Sequence, residues 1–219
     1  MSLKKDVWNV PNQISLIRLL ISFVVFALIP LQLYWLALGL FILAAGTDWI
    51  DGWYARKFNQ VTQLGRILDP FCDKILICGA YILLAVEMNQ GFPWYAKIAG
   101  WMAVVVVARE LLVTVLRSLI EGAGGDFSAK FAGKLKMVFQ SVAVGSCLVA
   151  LAMADPPTTT TAITAISGQQ ESSRFDSLPA WLSWTVVISV WLSFLSTVHS
   201  GYLYLLIAGN SDNPPVNEP

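Results

Sequence analysis

Four aspartates, Asp48, Asp51, Asp69 and Asp73, stand inside a sequence otherwise apolar enough for a lipid bilayer. Residues 48 to 73 read D-x2-D-G-x2-A-R-x8-G-x3-D-x3-D, with Gly52, Ala55, Arg56 and Gly65 between the carboxylates. One charge at the membrane midplane costs roughly 2.5–3.5 kcal/mol, so a cluster of such acids would cost on the order of 10 kcal/mol without compensation. Something cationic must sit among them. Asp48 and Asp51 are three apart at the end of one apolar helix, and Asp69 and Asp73 are four apart at the start of the next. Both spacings hold a pair on one helical face. A connection of about a dozen residues lets the pairs converge, presenting up to eight carboxylate oxygens and no sulfur or imidazole. Oxygen-only sites suit Mg²⁺ or Mn²⁺ and argue against zinc or copper. Two such ions sharing bridging carboxylates are the usual device for phosphoryl transfer.

The pattern resembles the signature of the CDP-alcohol phosphotransferases, membrane enzymes that move a phosphatidyl or related group from a CDP-linked donor to an alcohol. Every defining position of that signature is present. The likeness extends to Asn9, Val10, Pro11 and Asn12 leading into Leu16, Ile17 and Arg18, to Ala108, Arg109 and Glu110 followed by Arg117, and to Gly133, Lys134, Leu135 and Lys136 with Gln140. These segments are similar to the bacterial members that make phosphatidylglycerophosphate.

The resemblance implies roles. Asp48, Asp51 and Asp69 become metal ligands, and Asp73 both a ligand and the catalytic base. Asp48 and Asp69 are the better candidates to bridge two Mg²⁺ or Mn²⁺ ions. A nearby divalent cation keeps Asp73 ionised at neutral pH. Gly52, Gly65 and Ala55 clear space for the CDP group, although small residues also serve close helix packing. Arg56 is the natural partner of the donor diphosphate, since a guanidinium makes bidentate contacts to phosphate oxygens. If the acceptor is glycerol 3-phosphate, a second phosphate site is needed, and Arg109, Arg117, Lys134 and Lys136 supply it. Membrane-edge snorkelling is the competing reading for these cations. For Arg109, beside Glu110, bracing the site through a carboxylate is an equal alternative. Asn12 and Arg18 resemble positions near the nucleotide. No P-loop or G-x-G-x-x-G fingerprint is present, so CDP is held by the aspartate motif itself.

The elements that must position these residues follow from composition. At 219 residues the chain fits one domain, and 56% apolar with 13% charged residues marks a membrane protein. Apolar stretches of suitable length predict an all-α integral membrane protein with six transmembrane helices, at about 15–29, 34–57, 69–88, 94–119, 133–153 and 181–208. Pro70 then falls in the first turn of the third. Residues 14–208 form the domain; 1–13 lie along the interface or are a disordered leader; 155–180 form a polar external loop; 209–219 are a flexible tail. Lys4, Lys5, Arg56, Lys57, Arg66, Lys130 and Lys134 fall on one side of this topology, against Lys97 and Arg174 on the other. The positive-inside rule puts both termini and the aspartates on the cytoplasmic face, and the resemblance makes the membrane the bacterial inner membrane. Cys72, Cys78 and Cys147 form no C-x2-C pair and read as packed thiols. His199 is the single histidine, which disfavours a histidine-based triad.

The expected reaction is attack of the 1-hydroxyl of glycerol 3-phosphate on the β-phosphoryl of CDP-diacylglycerol, releasing CMP. Within that chemistry the alternatives are a cardiolipin synthase or an enzyme with an inositol-phosphate or serine acceptor. Outside it stands a transporter, whose acids would line a pathway instead of clustering at one face. The partners implied are CDP-diacylglycerol, glycerol 3-phosphate, membrane lipids and a second copy of the chain in a homodimer, with no nucleic acid.

Overall fold

The structure is a computed structural model that describes residues 10–57, 63–89, 91–122, 131–154 and 174–211. Among these residues every regular element is a helix. They are α1 (Val10–Leu28), α2 (Tyr34–Lys57), α3 (Gln63–Glu87), α4 (Gly100–Gly122), α5 (Phe131–Met153) and α6 (Ala180–Ser211). Helix α1 packs on α2 and α3, α5 packs on α6 and α2, and α4 bridges α3 to α6. The dry interior comes from Val25, Phe41, Tyr81, Leu84, Met88, Val106, Leu148, Leu151 and Val186, all buried.

The outside of the bundle is also rich in apolar side chains among the described residues. Phe23, Trp35, Ile42, Val86, Val104 and Trp184 are among many large apolar side chains that stay exposed. A surface of that kind is stable against lipid rather than water. Two stretches, Leu135–Met153 in α5 and Ala180–Leu206 in α6, are long and apolar enough to cross a membrane. Helices α1 and α2 carry shorter apolar runs, Gln13–Leu28 and Tyr34–Thr47. Charges interrupt the rest: α3 holds Asp69, Asp73 and Lys74, and α4 holds Arg109, Glu110 and Arg117. The two helices that break the hydropathy pattern carry Asp69, Asp73, Arg109 and Arg117 of the candidate residues.

Three boundaries differ from the sequence reading. Helix α1 starts at Val10, ahead of the expected Ser15, and takes Pro11 into its first turn, where a missing N–H costs nothing. Helix α4 starts at Gly100, because Trp94 and Tyr95 form turns held by the Trp191 indole, whose N–H donates to the Tyr95 carbonyl at 2.9 Å. Helix α3 starts at Gln63, a full two turns before Pro70, which lies inside the helix rather than in its first turn. Only 58–62 separate α2 from α3, so the two pairs of aspartates sit on helices joined more tightly than expected.

Between α1 and α2 the chain reverses through Gln32, which adopts a left-handed φ of 60°. The Leu33 N–H reaches the Leu28 carbonyl at 3.1 Å and the Gln32 N–H reaches Ile29 at 2.9 Å, closing the helix end. Helix α6 carries a polar stripe within its apolar run. Ser189, Ser193, Thr197 and Ser200 are all buried, and they recur every three or four residues. Ser189 bonds Ser146 of α5 at 2.7 Å, Ser193 bonds the Tyr81 hydroxyl of α3, and Thr197 accepts from Gln140 of α5 at 3.1 Å. In an apolar surrounding such hydrogen bonds fix the rotation of each helix against its neighbours.

Helix α1 packs directly on α3 at Gly79. A Cβ there would lie 2.2 Å from Phe26 Cζ, well inside contact distance. Gly79→Ala is expected to cost about 1–3 kcal/mol through overpacking. Thermal unfolding in detergent checks this, and Phe26→Leu in the same chain should recover the loss. An unchanged melting temperature for Gly79→Ala would contradict the close approach.

Candidate active site

The α1–α3 contact brings two candidate residues together. Arg18, on α1, donates from Nη1 to Asp73 Oδ1 of α3 at 2.7 Å. The Arg18 side chain is 0% exposed and that of Asp73 21%. One residue before Asp73, Cys72 donates its thiol to the Ser15 carbonyl at 3.4 Å, and Ser22 bonds back to the Arg18 carbonyl at 2.8 Å. Arg18 thus delivers its charge from α1 to Asp73 of α3. Arg18, read from the sequence as lying near a nucleotide, directly contacts the candidate base.

A second polar group joins α3, α4, α5 and α6. Lys74, next to Asp73, donates to the Thr114 hydroxyl, and Thr114 donates to the Glu110 carbonyl at 2.7 Å. The Glu110 carboxylate accepts from Lys136 of α5, and Arg109 Nη1 lies 3.3 Å from the same oxygen. Arg109 also donates from Nη2 to Ser200 at 2.6 Å and lies over the Tyr204 ring, 5.5 Å from its centre. Gly201 leaves room for that arginine, since a Cβ there would come within 3.1 Å of Arg109 Cγ. Arg109, Glu110 and Lys136 are all buried. Two cations share one carboxylate, so this trio carries a net positive charge in an apolar setting.

Of the four aspartates, only Asp73 has a described side chain. Asp48 and Asp51 lie on the last turns of α2 with Gly52, Ala55 and Arg56, and Gly65 and Asp69 lie on the first turns of α3. Their side chains, and those of Asn12 on α1, Arg117 on α4 and Lys134 on α5, are outside the described residues. The structure adds Lys74, Thr114, Ser200 and Tyr204, which the sequence reading did not single out. Lys74 carried a legible signal: a lysine within an apolar helix, adjacent to a signature acid, marks a functional position. Ser200 carried one as well, in the three-to-four-residue recurrence of hydroxyls along α6.

The Arg18–Asp73 pair can be tested alone. Arg18→Gln leaves a half-buried carboxylate without this partner, and the expected loss of stability lies below the roughly 3–5 kcal/mol of a fully buried pair. Arg18→Gln combined with Asp73→Asn removes both charges and should cost less than Arg18→Gln alone. Melting curves of the three variants in detergent check this; additive losses would mean that the contact contributes nothing.

A family model for CDP-alcohol phosphatidyltransferase matches residues 8–191. Among characterised relatives, a Bacillus subtilis (strain 168) protein named CDP-diacylglycerol–glycerol-3-phosphate 3-phosphatidyltransferase is 36% identical over 157 residues, covering 65% of this chain and 77% of its own length. Proteins of the same name from Sodalis glossinidius and Escherichia coli K12 are each 32% identical, over 145 and 142 residues, and 76% and 75% of their lengths are covered. The matched span takes in the aspartate signature, Arg18, Glu110 and Lys136 alike, and the chain belongs to the CDP-alcohol phosphatidyltransferase family.

Proposed function

We propose that this chain transfers the phosphatidyl group of CDP-diacylglycerol to sn-glycerol 3-phosphate, giving phosphatidylglycerophosphate and CMP in phospholipid synthesis. The observation that carries the reading is the pairing of Asp73 with buried Arg18 inside a complete family signature. The three named relatives support the choice of acceptor.

The donor set fits divalent cations. Asp48, Asp51, Asp69 and Asp73 offer oxygen only, on two successive helices joined by a short connection. These four would hold two Mg²⁺ or Mn²⁺ ions, which when bound supply charge neutralisation at the diphosphate. The remaining work falls to the chain. Arg56 holds the diphosphate, and Gly52, Ala55 and Gly65 let the nucleotide approach the backbone. Asp73, oriented by Arg18, takes the proton from the 1-hydroxyl of glycerol 3-phosphate. The hydroxyl oxygen bonds to the β-phosphorus as the bond to the CMP oxygen breaks, so the proton ends on Asp73 and the electron pair on CMP. Arg109, Arg117, Lys134 and Lys136 hold the acceptor phosphate, and Asn12 lies near the nucleotide. In the described geometry Lys136 and Arg109 are engaged with Glu110, so a phosphate here joins a carboxylate already in place.

The proposal extends to the setting. All six helices cross the bacterial inner membrane, with the charged stretches of α3 and α4 packed inward. Both termini and the site face the cytoplasm, in keeping with the positive-inside rule. The helical domain begins with α1 at Val10 and ends with α6 at Ser211, with the residues before it along the interface, 155–180 as an external loop and the residues after it as a tail. The lipid donor enters sideways between helices, the soluble acceptor enters from the cytoplasm, and the working form is a homodimer.

Two kinetic outcomes test the assignment. Asp48→Asn or Asp69→Asn should abolish turnover in folded protein, whereas Asp73→Asn should abolish turnover yet retain binding of CDP-diacylglycerol. Near-normal activity of Asp48→Asn at saturating Mg²⁺ would sink the ligand assignment. Lys134→Gln should raise the KM for glycerol 3-phosphate roughly ten- to hundredfold, the worth of one charged hydrogen bond, with the donor KM unmoved. Equal shifts in both constants would assign this lysine to folding or topology.

A further inference from the structure

Glu110 is the carboxylate on which the buried cations converge, and the family signature of aspartates does not include it. It accepts from Lys136 of α5, lies 3.3 Å from its neighbour Arg109, and Gln140, one turn beyond Lys136, is within hydrogen-bonding reach of it. Its surroundings are built to hold this arrangement. Arg109 is anchored at its far end by Ser200 and Tyr204, Gln140 by Thr197, and the Glu110 carbonyl by Thr114, which Lys74 contacts in turn. Each helix from α3 to α6 contributes, and Lys74 adjoins Asp73 in the chain.

Two features separate this group from a simple structural brace. Its charges do not cancel, since Arg109 and Lys136 face one carboxylate, and Arg109 Nε is a buried donor with no partner among the described residues. A buried cluster with surplus positive charge and an unused donor is suited to receive an anion. A lysine in such a place also needs a fixed address. Its four-carbon stem is flexible, and without a carboxylate its ammonium would lose both orientation and compensation.

We propose that Glu110 is a positioning residue for the acceptor site: it holds Lys136 and Arg109 so that their remaining charge meets the phosphate of the incoming alcohol. The inference rests on the reading of Lys136 as a contact to that phosphate. Glu110 itself touches no substrate. It acts through the cations, and therefore sets affinity for a phosphorylated acceptor while leaving the donor alone.

The test is a double-mutant cycle in the full-length protein in mixed micelles, varying CDP-diacylglycerol and glycerol 3-phosphate separately. Glu110→Gln should raise the glycerol 3-phosphate KM about tenfold, with the donor KM unchanged, and Glu110→Asp should fall between it and the parent protein. Glu110→Gln combined with Lys136→Gln should lose less than the two single losses together, because the Lys136–Glu110 contact is removed only once while Arg109 is released by the Glu110 change alone. Additive losses, a lower acceptor KM for Glu110→Gln, or parallel shifts in both KM values overturn the positioning role. So does failure of both Glu110 variants to fold, which would make the residue a structural brace. If Lys136→Gln leaves the glycerol 3-phosphate KM untouched, the phosphate reading of Lys136 fails instead, and the two failures are thereby distinguished.

Discussion

A charge placed in an apolar bundle must find an opposite charge, and that requirement organises this molecule. Arg18 is wholly enclosed by α1 and its neighbours, and it persists there because Asp73 of α3 meets it at 2.7 Å. Glu110 persists inside because Lys136 and Arg109 meet it. The Arg18–Asp73 and Lys136–Glu110 pairings join different helices, so the demand for neutralisation also dictates which helices touch and in what rotation. Removing one partner is costly because the other remains enclosed. The polar residues of the site are thus part of the fold as well as of its chemistry.

Around these pairs the apolar packing supplies proximity and the hydroxyl stripe of α6 supplies register. Gly79 lets Phe26 of α1 sit directly on α3, which brings the turn bearing Arg18 to the turn bearing Asp73. Ser189, Ser193, Thr197 and Ser200 contact α5, α3, α5 and α4 in succession down one helix. A neutral hydrogen bond of this type contributes modestly, about 0.6 kcal/mol on average in a membrane interior. Its value here is geometric. Rotating α6 by one residue would break all these contacts together and take Ser200 away from Arg109.

Much of this was legible in the sequence. Apolar run length predicts the six helices found among the described residues, and the aspartate pattern leads to the family whose model matches the chain. The partners could not be read in this way. Arg18 and Asp73 are 55 residues apart, Lys136 and Glu110 26, and no local pattern encodes such pairings. Helix starts were misjudged where local propensity and packing disagree. Pro70 reads as a helix beginning because proline is tolerated there, yet α3 runs through it, and contacts of α3 with α1, α4 and α5 outweigh the lost hydrogen bond. Trp94 reads as the start of an apolar helix, whereas its ring packs edge-on against Tyr95 and Trp191 in a turn. Glu110 was visible only as a neighbour of Arg109, because its role as a hub depends on α5 and α6.

The central claim is that a carboxylate and cation site within this bundle passes a phosphatidyl group to a phosphorylated alcohol. The most direct measurement is release of radiolabelled CMP from CDP-diacylglycerol by the purified protein in mixed micelles with Mg²⁺. Glycerol 3-phosphate, phosphatidylglycerol, inositol phosphate and serine would each be offered as sole acceptor. The account predicts sustained CMP release with glycerol 3-phosphate, a phosphorylated lipid product, and little release with the other three. CMP release with phosphatidylglycerol or serine but not with glycerol 3-phosphate would contradict it.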